Sequence, residues 1–194
     1  MAIKRICAVW YDAWMKFSRF LESGSLDFLN LRVQIKAGGC PHCRHPSAVV
    51  AHGYLQAASG SNTRGIRFFC SDRYSNEGCG RTFSVHWDTV IPRCSLLTAQ
   101  ILALVRAVAG GPSTHGAWYF GRLAISISSA YRWVVKWLKL TGHIRSALCR
   151  TVQPPGKADA QTDPFTLNHL SAAFPTAHCA IAAFQSGLQT AITG

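Results

Sequence analysis

The residues best suited to chemistry in this chain are four cysteines. Cys40 and Cys43 stand in Cys40-Pro41-His42-Cys43, and Cys70 and Cys79 follow beyond a long insert. Two thiols separated by two residues can face one metal ion, because the turn between them points both sulfurs inward. Zinc takes four ligands in a tetrahedron, at about 2.3 Å per thiolate, and thiolates suit its borderline-soft character. Cys40 and Cys43 therefore make a strong half-site. Cys70 and Cys79 make a weaker one, since eight residues lie between them instead of two. Gly78 and Gly80 flank Cys79 and let its backbone turn tightly against the metal. His42, His45 and His52 are the substitutes if a histidine replaces Cys70 or Cys79. With protein filling all four positions the zinc is structural, with no place for a reactive water.

A second set of residues suits a polyanion. Arg132, Lys136 and Lys139 are four and three apart, so on a helix they share one face, with Ser129 one turn ahead of Arg132. The first turns of a recognition helix enter the major groove, which places Ser128, Ser129, Arg132 and Trp133 at base edges. Lys136 and Lys139 would lie nearer phosphates, where they position without specifying. Arg81 adds a cation beside the second half-site. The competing reading is a cationic amphipathic helix that merely shows its charged face to water.

These residues need elements to hold them. Val49, Val50, Ala51, Tyr54 and Leu55 form one apolar run and Ile66, Phe68 and Phe69 another, with turn residues Ser59-Gly60-Ser61-Asn62 between them. That is a β-hairpin between two metal half-sites, the layout of a zinc ribbon. Such a small unit has too little apolar area for a core of its own, so the metal would supply much of its folding free energy. Upstream, Trp10, Trp14, Phe17 and Leu21 make a helical stripe over residues 1–23. Leu29, Leu31, Val33 and Ile35 alternate as a strand would. Downstream, an extended connector from Trp87 to Arg93 leads to Ser95, the expected N-cap of a helix over Leu96–Val108. Gly110-Gly111-Pro112 stops that helix. A short helix over Ser113–Phe120 follows. A third runs from Ser126 to about Leu140, with Thr141-Gly142 as its stop and Tyr131, Val134, Val135 and Leu138 packing on the first. Together they form a trihelical helix-turn-helix pattern.

The sequence from CPHC through the aromatic strand ending at Cys70 to Cys79-Gly80-Arg81-Thr82-Phe83-Ser84-Val85 resembles the zinc ribbon at the front of many insertion-sequence transposases and their short DNA-binding relatives. The resemblance covers roughly residues 40–142, and CGRTF is its most specific part. It implies that a helix-turn-helix follows the ribbon, which is the order found here, and that the partner is double-stranded DNA. The long Cys70–Cys79 gap departs from the family's commonest pattern.

Charge agrees with a polyanionic partner. Twenty Lys and Arg against eight Asp and Glu leave +12, and no acidic residue occurs from Thr89 to Ala158. A catalytic transposase needs three carboxylates beyond its DNA-binding region to hold two metal ions. Here only Asp159 and Asp163 follow, and the last Glu is Glu77, so no enzyme is expected. No phosphate-loop or dinucleotide fingerprint occurs. Residues 1–20 carry scattered charges and no secretory core, and no run is long enough to span a bilayer, so a cytoplasmic location is expected, with no membrane partner. Cysteines in a reducing compartment suit a metal site better than disulfides.

The expected fold class is α+β, mainly α, with a small β zinc ribbon, a trihelical helix-turn-helix and flanking N- and C-terminal helices. The divisions are 1–36 (helix and strand), 37–88 (ribbon), 94–142 (helix-turn-helix), 143–164 (linker) and 165–194. The last segment carries Leu167, Leu170, Phe174, Ile181, Phe184, Leu188 and Ile192, is expected to be helical over Ala177–Thr193, and offers a packing or homo-oligomer surface. The alternatives are an RNA- or protein-binding ribbon, with Tyr54, Phe68, Phe69, Tyr74 and Phe83 as stacking rings, or an inactive transposase remnant acting in assembly.

Overall fold

Two hydrophobic periods run through the chain, and each builds its own core. The computed structural model describes residues 18–21, 28–46, 48–56, 63–73, 77–123, 125–155 and 163–192. The class is α+β, with helices outweighing strands.

Period two builds the sheet. Strands β2 (Val49–Gln56) and β3 (Thr63–Cys70) pair antiparallel, and β3 pairs antiparallel with β4 (Thr82–Trp87). Alternate residues Ile66, Phe68 and Cys70 of β3 face inward beside Phe83 and Val85 of β4. Phe68 lies opposite Phe83, and their rings stack at 5.5 Å. Helix α1 (Phe28–Gly38) covers this face through Leu31 and Ile35. A fourth strand, β1 (Ser18–Leu21), adds parallel to β4, giving the order β1-β4-β3-β2.

Two expectations for the N-terminal region are corrected here. Residues 18–21 are strand rather than the end of a helix over 1–23; the rest of that helical stripe lies outside the described residues. Residues 28–38 are helix rather than strand. The alternation Leu29, Leu31, Val33, Ile35 also contains the helical spacing, because Leu31 and Ile35 are four apart. Those two are buried, at 1% and 4% exposure, while Val33 is 66% exposed. The period that buries surface is the one that wins.

Period 3.6 builds the rest. Helices α2 (Thr98–Ala109), α3 (Thr114–Phe120) and α4 (Ile127–Leu148) pack on one another around Leu104, Ala117 and Ala130. Ser113 and Ser126 cap α3 and α4, accepting from the Gly116 and Ser129 N–H groups, each at 3.2 Å. The expected cap of α2, Ser95, lies two residues before the true N-cap. Leu97 holds the N-cap position, and its N–H donates to Gln100 Oε1 at 2.9 Å.

The expected stop of α4 at Thr141-Gly142 is also corrected, since the helix continues to Leu148. Gly in a helix interior costs about 1 kcal/mol relative to Ala. Burying Ile144 and Leu148 contributes about 1.5–3 kcal/mol each, which outweighs it. The packing face of α4 is Ala130, Trp137, Ile144 and Leu148, with Val134 half-buried. Tyr131, Val135 and Leu138, expected to pack on α2, are each about half exposed (49%, 52% and 49%).

The C-terminal segment forms two helices, α5 (Asp163–Ala173) and α6 (Ala180–Leu188), where the sequence suggested a linker to 164 and one helix from Ala177. Leu167, Leu170, Ile181, Phe184 and Ile192 share a single core with Ile101, Val105, Trp137, Ile144 and Leu148. The apolar residues that offered an oligomer surface are thus packed inside the chain.

Polar contacts join the two halves. Arg64 of β3 donates to the carbonyls of Ser95 (3.2 Å), Ile91 (3.5 Å) and Cys94. Gln185 Nε2 donates to the carbonyls of Asp88 (2.7 Å) and Val90 (3.0 Å). Gln189 Nε2 donates to the Phe20 carbonyl at 2.8 Å, and the Phe20 N–H donates to Gln189 Oε1 at 3.0 Å, as a neighbouring strand would. Burial and then the Arg64 charge push His86 down to about 4, so it stays neutral at this junction near neutral pH.

The continuation of α4 through Gly142 has a direct test. A Cβ there would meet no heavy atom within 4 Å. Gly142→Ala should therefore raise the urea unfolding free energy by about 1 kcal/mol; a loss of stability would mean that α4 ends before this residue.

Candidate metal centre and nucleic-acid interface

The four cysteines meet at one end of the sheet. All four Sγ atoms lie within 4.8 Å of one another. Cys40 Sγ is 3.7 Å from Cys79 Sγ, and Cys43 Sγ is 3.5 Å from Cys70 Sγ. A tetrahedral ion with bonds of about 2.3 Å separates its sulfurs by about 3.8 Å. These two pairs are close to that spacing, and both are far beyond the about 2.05 Å of a disulfide. The donor set therefore fits a structural metal. None of the three candidate histidines belongs to it: His45 pairs with Glu77 at 3.5 Å, His52 sits on exposed β2 against Phe69, and His42 lends its backbone N–H to Cys40 Sγ at 3.3 Å.

The long Cys70–Cys79 gap has a simple geometric resolution. In the first half-site the Arg44 N–H donates to the Cys40 carbonyl at 2.7 Å, and Arg44 takes a left-handed φ of 66°. In the second, the Gly80 N–H donates to the Cys70 carbonyl at 3.0 Å, and Gly80 has φ 67°. The Gly78 N–H donates to the Ser71 carbonyl at 3.0 Å, which closes the chain on itself between those residues. Cys70-Ser71 and Gly78-Cys79 together thus occupy the place of a Cys-x-x-Cys turn. Gly78 is required by this closure, since a Cβ would lie 2.0 Å from the Ser71 carbonyl oxygen. The Cys79 N–H completes the turn by donating to Cys70 Sγ at 3.3 Å.

The thiols differ in acidity. A backbone hydrogen bond from His45 leads the effects that lower Cys43 to about 7. Burial pushes Cys70 and Cys79 upward, against a backbone hydrogen bond at each. Cys43 is exposed while Cys40 and Cys70 are buried.

The second candidate surface lies on α4. Ser128, Arg132, Lys136 and Lys139 are exposed, and Ser129 is half-buried. Arg132 is held along the helix: Nε donates to the Ser128 carbonyl at 3.3 Å and an Nη to Ser129 Oγ at 3.4 Å. Trp133, expected at base edges, is half-buried against the helical core, and Lys136 Nζ lies 4.8 Å over its ring. Arg81 is exposed at the metal end of the sheet, where its carbonyl accepts from the Cys70 N–H at 2.9 Å. Arg64, which touches the connector to α2, lies six residues back along β3, roughly 20 Å of strand. The fold thus brings the α4 residues together and leaves Arg81 with the metal centre. Beside the α4 cations stand exposed Tyr131 and Val135, which helical spacing alone assigned to the core, and Arg93 and Ser95, whose proximity no local pattern announces.

No protein-family model, curated protein or solved structure matches the chain. The resemblance to the transposase ribbon accordingly rests on the residues quoted for it.

Two outcomes are expected at the metal centre. Excising residues 72–77, so that Ser71 joins Gly78, should keep one metal per chain and the thiolate charge-transfer band of the cobalt-substituted protein, whereas Gly78→Ala in the full chain should weaken both. Loss of metal on excision would make the loop part of the site. Metal uptake should also release protons, because thiolates are the ligands and burial keeps Cys70 and Cys79 protonated. Affinity measured by competition with a chelator should therefore fall as pH is lowered, and a pH-independent affinity would exclude the four-thiolate site.

Proposed function

We propose that this chain is a noncatalytic, zinc-containing DNA-binding protein, a transposase-derived regulator or accessory factor, with α4 as a recognition helix in the major groove. The observation that carries this reading is the division of α4 into two sides. Ala130, Trp137, Ile144 and Leu148 are buried, and the opposite side leaves Ser128, Arg132, Lys136 and Lys139 exposed in a stretch with no acidic residue. Helix α3 packs on α4 and α2 on both, an arrangement compatible with a trihelical helix-turn-helix. In this reading Ser128 and Arg132 meet base edges, while Lys136 and Lys139 neutralise phosphates. The four cysteines hold zinc, which locks the ribbon and performs no reaction. A reducing compartment such as the cytoplasm keeps those thiols available. Among the described residues no helix is long and apolar enough to cross a membrane.

An RNA-binding ribbon is the second reading. Exposed Tyr54 and half-buried Phe69 support it, with Arg67 exposed on the same strand as Phe69. Phe68 and Phe83 are locked in the core, and Tyr74 lies outside the described residues. Two rings form a weaker stacking platform than the sequence suggested.

Metal analysis together with a salt titration of duplex DNA and single-stranded RNA binding tests these readings. One zinc per chain and duplex affinity that falls steeply with salt are expected. Arg132→Ala should cost about 1–3 kcal/mol on the preferred sequence and relax the preference, and Lys136→Ala should weaken all duplexes alike. Iron in place of zinc would overturn the metal assignment. Tighter binding to the single strand, unaffected by both substitutions, would transfer the function to the ribbon.

A further inference from the structure

The connector between the sheet and α2 meets the first turns of α4 in a cleft of about 260 Å³. Arg93 and Ser95 line it from the connector, and Ser129, Arg132 and Lys136 line it from α4, with Trp133 between them. Among the described residues no carboxylate stands on its walls. None of the three cations has an ion pair among the described residues. Three like charges around one cleft repel each other, and an anion placed between them removes that repulsion.

The donor set has a definite chemical counterpart. The Arg93 guanidinium fork, the Lys136 ammonium and two hydroxyls, with the Arg132 charge beside them, suit a tetrahedral oxyanion, whose oxygens accept from several directions at once. The volume is below the range of about 300–1,000 Å³ usual for drug-sized ligands, and so suits a small group. A nucleobase is a poor occupant. Lys136 lies over the Trp133 ring, which also packs on the helical core, so that ring offers no open face for stacking.

The walls are also held in place. Arg93 has a φ of 58°, a left-handed backbone that non-glycine residues seldom adopt. The connector around it is fixed by Arg64, whose guanidinium donates to the carbonyls of Ile91, Cys94 and Ser95. Ser129 is fixed by its N–H bond to the Ser126 cap, and Arg132 by its bonds to Ser128 and Ser129. A cleft organised before its ligand arrives loses little entropy on binding.

We propose that this cleft is a phosphate-binding pocket, and that in the complex with DNA it clamps one backbone phosphate beside the groove entered by α4. The inference rests on the DNA-binding reading for the source of the phosphate, but not for the chemistry of the pocket. Arg93 and Ser95 thereby join the interface from outside the recognition helix. Arg64 acts as a positioning residue.

The test uses Arg93, because Arg132 also faces the exposed side of α4. Asn tolerates a left-handed backbone, so Arg93→Asn removes the charge without straining the turn. Duplex affinity is measured against salt for two unrelated sequences, and amide shifts are followed by NMR during titration with inorganic phosphate at constant ionic strength. Arg93→Asn should flatten the logarithmic salt slope by about 0.9, one phosphate contact, equally on both duplexes, and Arg93→Lys should largely restore it. Phosphate should shift Ser95 and Ser129 saturably in the wild type and not in Arg93→Asn, whose spectrum also reports that it is folded. Duplex binding by the wild type with a slope that Arg93→Asn leaves unchanged would overturn the clamp and leave the DNA-binding reading standing. No duplex binding, with saturable shifts at Ser95 and Ser129, would uphold the pocket, sink that reading and make a free phosphorylated molecule the ligand. Neither duplex binding nor localised shifts would overturn both.

Discussion

The convergence of four sulfurs at one end of the sheet is the constraint on which the antiparallel strands depend. Cys43 precedes β2, Cys70 ends β3, and Cys79 precedes β4, so one centre fixes the ends of all three antiparallel strands. In the same register Phe68 lies opposite Phe83. The buried cluster beneath is small, built mainly from Ile66, Phe68, Phe83 and Val85 of the sheet with Leu31 and Ile35 of α1. A core of that size is marginal by itself, and an ion shared between both turns would supply the missing cohesion. The long separation of Cys70 from Cys79 leaves this geometry intact, because the Gly78 N–H bonds the Ser71 carbonyl.

The sheet and the helices are joined by a polar seam. Arg64, Gln185 and Gln189 each satisfy backbone groups far away in sequence, and each does so from a position where an apolar residue could not. The Gln189 amide covers the edge of β1 by bonding both polar groups of Phe20. Arg64 ties down the connector that carries Arg93 and Ser95. The contacts that unite the two halves thus also set the wall of the basic cleft.

The functional surfaces follow from what burial leaves over. Helix α4 turns Trp137, Ile144 and Leu148 into a core completed by α5 and α6. Its basic residues are thereby committed to the outside, and the lack of acidic neighbours in the surrounding sequence leaves their charge uncompensated. The C-terminal segment, opaque as sequence, supplies the other half of the core that holds α4 in place.

Much of this was legible in the residues themselves. Thiol spacing picked out the four cysteines that cluster, and period-two runs between turn residues located β2 and β3. Serines before apolar periods located the starts of α3 and α4. These are local signals, because capping, pairing and ligand geometry act over a few residues. Other features depend on what lies across the core. Whether Leu31 and Ile35 belong to a strand or a helix is decided by the sheet face they cover. Gly142 is tolerated within α4 because Ile144 and Leu148 find α5 and α6 behind them. Cys79 completes a Cys-x-x-Cys-like turn with Cys70 only because the chain closes at Ser71 and Gly78. Arg93 reaches the α4 cations through a connector held by Arg64 of a distant strand. The sequence by itself determined the chemistry of the donors. The tertiary structure alone decided their company, because burial and long-range hydrogen bonds are energies of contacts that no local pattern contains.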